Sequence, residues 1–61
     1  MNHAARIRNK LRKAGHNLTV YNAGGFENLV VIFLDGDTTE TEVTETIGNY
    51  PAEIVIYHYE D

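Results

Sequence analysis

The stretch Asp37-Thr38-Thr39-Glu40-Thr41-Glu42-Val43-Thr44-Glu45-Thr46-Ile47-Gly48 decides the fold. Five threonines and a valine within residues 38–47 favour a strand on propensity alone. Capping and spacing favour a helix. Asp37 stands as an N-cap with Glu40 three residues on, the carboxylates at 40 and 42 sit near the positive end of the helix dipole, Val43 and Ile47 are four apart, and Gly48 stops the run. The reading adopted is a short helix over 38–47.

Upstream, residues 3–14 read as a helix. Ala4, Ile7, Leu11 and Ala14 recur at spacings of three, four and three, with Arg, Lys and Asn between them, and Gly15 is placed to end it. Residues 17–22 and 28–35 read as two strands of a hairpin, joined through Ala23-Gly24-Gly25-Phe26-Glu27, where glycine supplies positive φ. Asp35-Gly36-Asp37 ends the second strand. Beyond the decisive stretch, Pro51 precedes a last strand from Glu53 to Tyr59.

The order α-β-β-α-β predicts an α+β fold, a two-layer sandwich with two helices on one face of a three-stranded mixed sheet, over a single domain of residues 1–61. A strand, helix and strand joined by short loops imply a right-handed crossover between parallel strands. In order alone this is a ferredoxin-like unit without its first strand.

Period-two reading sorts the strands into two faces. Leu18, Val20, Val30, Ile32, Leu34, Ile54 and Ile56 make an aliphatic face suited to the helical stripes. Thr19, Tyr21, Leu29, Val31, Phe33, Val55, Tyr57 and Tyr59 make an aromatic-rich one. With both helices on the aliphatic side, the second face has nothing left in the chain to cover it, and a large exposed apolar patch signals a partner. Tyr21, Phe33, Tyr57 and Tyr59 are therefore the candidate protein interface, for a homodimer or another protein. The competing reading puts the helices on the aromatic face, or splits their coverage. Base stacking on the same four rings ranks below both, because no basic residues interleave them.

The net charge of −4 conceals a segregation: all five cations (Arg6, Arg8, Lys10, Arg12, Lys13) precede residue 14, and all nine carboxylates follow residue 26. The cations form a possible nucleic-acid contact, since a row of cations on one helix is able to grip phosphates. Against this stands internal pairing with Glu40, Glu42 and Glu45 on the neighbouring helix. The acidic remainder is also able to imitate a phosphate backbone or to dock in a basic groove of a larger protein.

Machinery for catalysis is scarce. The chain has neither serine nor cysteine, and its threonines have no evident base beside them. His16, His58 and Glu60 lack metal-site spacing, the residues after Asp35 miss the glycine and glutamate of a calcium loop, and Gly24-Gly25 fits no phosphate-binding motif. No cofactor, metal or small-molecule substrate is inferred. Residues Leu11 to Leu34, a helix ending near Gly15 that leads into a hairpin, resemble small toxin ribonucleases of the HicA type. Those proteins carry a catalytic histidine on the hairpin, where this chain has none, so the resemblance does not bring the activity with it.

Neither a secretory leader nor a membrane span is legible, which makes a cytoplasmic location the expectation. The function expected is that of a small non-enzymatic interaction or regulatory protein, inhibitor-like and of the kind that mobile genetic elements encode, associating through its aromatic sheet face. The alternative is a nucleic-acid-binding module built on the basic helix.

Overall fold

A computed structural model describes residues 2–26 and 28–58. Its elements are α1 (His3–Lys13), β1 (Thr19–Asn22), β2 (Leu29–Leu34), α2 (Glu40–Ile47) and β3 (Glu53–His58). The sheet order is β1-β2-β3, with β1 antiparallel and β3 parallel to the central strand. The α+β fold with mixed sheet follows the sequence pattern, and the differences lie at element ends.

Helix α1 opens on Asn2, whose side chain accepts from the Ala5 N–H at 3.2 Å. It closes on a Schellman arrangement: the His16 N–H reaches the Leu11 carbonyl at 2.8 Å and the Gly15 N–H reaches Arg12 at 3.0 Å, with Gly15 at φ 93°. This closure moves Ala14 off the apolar stripe. Already out of helical geometry at φ −85°, ψ 0°, it is exposed, while Ala4, Ile7 and Leu11 are buried.

Strand β1 begins at Thr19 rather than 17. Its partner β2 ends at Leu34, opposite where Leu18 would pair, because Asp35-Gly36 turns the chain away. Leu18 is buried all the same. The hairpin loop holds two tight turns, Phe26 N–H to Ala23 carbonyl at 3.1 Å and Leu29 N–H to Phe26 carbonyl at 3.3 Å, with Gly25 at φ 83°.

The N-terminus of α2 corrects the expected cap. Asp37 does not cap it. The Asp35 carboxylate takes the N–H groups of Asp37 and Thr38 at 3.2 and 3.1 Å, which folds residues 35–38 into a turn of their own. The helix starts later, with Thr39 as N-cap and Glu42 completing a reciprocal capping box. Thr44 and Thr46 donate their hydroxyls to the carbonyls of Glu40 and Glu42, both at 2.8 Å, so each threonine satisfies its polar group within the helix that its propensity disfavours.

Both helices pack on the aliphatic sheet face. Ile7 and Leu11 of α1 and Val43 and Ile47 of α2 share a core with Val20, Val30, Ile32 and Leu34, flanked by the half-buried Tyr50, Ile54 and Ile56. The Cα framework measures 29 × 25 × 15 Å, and the short axis has room for two layers only. The competing assignment, with helices on the aromatic face, is overturned.

Candidate functional site

The register fixes what the uncovered face presents. Thr19, Phe33 and Tyr57 stand in one row across the three strands, Tyr21, Val31 and Val55 in the next, and Leu29 beside Glu53 in a third. Phe33 lies between two tyrosine rings. Tyr21 stacks on it diagonally, with centroids 5.9 Å apart and planes 21° from parallel, and Tyr57 stacks from the opposite strand at 5.4 Å and 25°. The result is a ladder of three rings that spans the sheet. The outer rings are open to solvent, Tyr21 at 43% and Tyr57 at 50%, while Phe33 is half-buried between them and Val31 is closed over by its neighbours. Tyr59, the fourth expected interface ring, lies outside the described residues.

Phe26 adds to this surface and was not among the expected interface residues. It is 63% exposed at the hairpin tip, beside a shallow depression shared with Leu29 and Glu53 at the end of the aromatic face. Its signal was an aromatic residue placed directly after Gly24-Gly25, where no core position exists for it.

The five cations of α1 have separate fates. Arg8 donates to the backbone carbonyl of Val20. That carbonyl points away from β2, since the adjoining Ala23 N–H pairs with Leu29 and alternate residues of β1 face outward, so Arg8 caps the free edge of the strand. Lys10 donates to the last carbonyl of α2, Ile47, at 3.3 Å, and its Nζ lies 5.8 Å from the centroid of the Tyr50 ring. Tyr50 is itself held by His3, through a 3.0 Å hydrogen bond between Nδ1 and the phenol and an edge-on ring contact at 5.4 Å. Arg6, Arg12 and Lys13 are exposed, and among the described residues they form no ion pair.

The pairing expected between these cations and Glu40, Glu42 and Glu45 is therefore not made. Lys10 meets α2 at its C-terminal end, whereas Glu40 and Glu42 occupy its first turn, and Glu42 is engaged in the capping box. Seven residues of helix place those ends about 10 Å apart.

Among the described residues no three histidine, aspartate or glutamate side chains gather as a metal site requires. Glu60, considered beside His58, lies outside them. No helix of the described residues is long and apolar enough to cross a membrane. The Thr38 hydroxyl, then the Asp37 N–H, hold the Asp35 carboxyl below its usual value.

Comparison with known proteins finds no matching family model, no matching curated protein and no matching solved structure.

Proposed function

We propose that this chain is a small, non-enzymatic interaction domain of a regulatory kind, and that it associates with a second copy of itself through the open face of its sheet. The observation that carries the reading is the Tyr21-Phe33-Tyr57 ladder, three stacked rings on a face that no other described element covers. Tyrosine suits such a face, because it buries a large ring on association and keeps its hydroxyl at the wet margin.

A second copy suits it as well. Glu53 is the one charged side chain among the described rows of the face, and it stands in the end row, so two faces meet without like charges at the centre. The basic helix lies on the other side of the sheet, which leaves the rings without the cations that a nucleic-acid strand stacked on them requires. Three strands about 4.8 Å apart and at most about 20 Å long offer roughly 300 Å² of sheet per copy, below the size of a standard stable interface, so the association expected is weak and transient.

A dilution series followed by amide NMR tests the location. Concentration-dependent shifts are expected at Thr19, Tyr21, Phe33, Val55 and Tyr57, with α1 and α2 unmoved. Shifts confined to the helices, or none up to high micromolar concentration, contradict it.

A further inference from the structure

We infer that Arg6, Lys10 and Lys13 form a binding groove for the phosphate backbone of nucleic acid, on the helical side of the molecule and independent of the sheet face. The three cations stand at positions i, i+4 and i+7 of α1, on one flank, and line a groove of about 480 Å³ between that helix and Asn49-Tyr50-Pro51. Asn9 lines it too, and among the described residues no carboxylate does.

The groove is built as well as charged. Lys10 is held in place by the Ile47 carbonyl and the Tyr50 ring, and Tyr50 by His3. A short turn across Pro51, with the Ala52 N–H on the Tyr50 carbonyl at 2.8 Å, fixes the far wall. Arg6 and Lys13 flank this fixed cation without an ion pair among the described residues. Like charges three and four apart weaken a helix, and among the described residues no carboxylate lines the groove to offset them.

The chemistry selects the ligand. A single-sign row about 10 Å long along a helix matches a linear array of phosphates, and the asparagine side chains add donors of the type that contact phosphate and sugar. Tyr50 is engaged with His3 and Lys10, so the groove offers no free ring for a base, and binding is independent of sequence. A membrane surface is a poor match, because the apolar stripe of α1 (Ala4, Ile7, Leu11) is already buried in the core and cannot enter lipid. Arg8, committed to the β1 edge, and Arg12, outside the groove, are not part of the site.

Fluorescence anisotropy with a labelled thymidine oligonucleotide and a labelled DNA duplex tests it. Three phosphate contacts predict that affinity falls about 20-fold for the single strand and about 40-fold for the duplex between 50 and 200 mM salt. The double variant Arg6→Glu, Lys13→Glu removes binding, while Arg12→Glu, an equal change per residue outside the groove, keeps affinity within a few-fold. Both exchanges fall on exposed side chains, and circular dichroism verifies the fold. The inference is overturned if neither probe binds at 50 mM salt, if Arg12→Glu abolishes binding as the double variant does, or if polyglutamate or anionic vesicles bind as tightly as the oligonucleotides. Because Phe33→Ser leaves this groove untouched, loss of self-association in that variant with retained DNA binding separates the two surfaces.

Discussion

Ile32 and Phe33 are neighbours in the chain and opposites in surroundings. Ile32 is fully buried beneath α1 and α2, in a core of aliphatic side chains supplied by every element. Phe33 faces the other way, between two tyrosines whose outer surfaces are wet. One strand thus feeds a finished interface and an unfinished one. The covered face specifies the fold, and the open face retains an apolar and aromatic area that no other described element covers.

The largest expected effect is on the covered side. Ile32→Ala removes packing that cannot be refilled and costs about 2–5 kcal/mol, most of the stability of so small a domain. Urea denaturation measures it, and a loss under about 1 kcal/mol breaks the contrast between faces. Phe33→Ser, one residue on, gives up two stacked ring contacts and costs about 1–2 kcal/mol in the monomer while removing self-association. A folded variant that associates as the parent does breaks the contrast from the other side.

Smaller effects sharpen the account of how the helical layer is tied down. Arg8→Ala frees the Val20 carbonyl on the β1 edge and costs about 1 kcal/mol, and Thr39→Ala, which breaks the α2 capping box, costs about the same. Thermal melts read both, with association unchanged in each. If Arg8→Ala costs nothing, the guanidinium is an ornament of the edge rather than its cap.

The smallest effect is in acid. With its pKa lowered by the Thr38 hydroxyl and the Asp37 and Thr38 N–H groups, Asp35 contributes stability that is present above its ordinary value of 3.8 and is lost as pH falls through the folded-state value. Asp35→Asn therefore flattens the acid limb of a stability profile below pH 4. An unchanged limb removes Asp35 from the account of the turn before α2.

What the sequence made legible was set by periodicity. Strand parity separates Val30, Ile32 and Leu34 from Leu29, Val31 and Phe33, but all six are apolar, so parity alone left open which set the helices cover. The first set lies under them, where Ile7, Leu11, Val43 and Ile47 offer aliphatic stripes to meet it. Local competition was harder to read. Asp37 and Thr39 are both good caps, and the choice was made by Asp35, whose carboxylate captures the intervening N–H groups. Ala14 matched the helical period but is the C-cap, one residue past the end of α1 and directly before the turn that Gly15 makes.

The candidate surfaces divide in the same way. Tyr21, Phe33 and Tyr57 were found because strand parity alone places them together. The fates of Arg8, Lys10 and Arg6 depend on where α1 crosses β1 and which end of α2 it meets, and no spacing within one helix encodes that. Phe26 has no period to belong to. Its position in space is set by the two tight turns of the hairpin.

Sedimentation equilibrium on the parent chain and on Phe33→Ser, both at high micromolar concentration, tests the central claim most directly. A dimer for the parent and a folded monomer for the variant are predicted. A parent that stays monomeric at that concentration, or a Phe33→Ser dimer as tight as the parent's, contradicts the assignment of the open sheet face as the site of association.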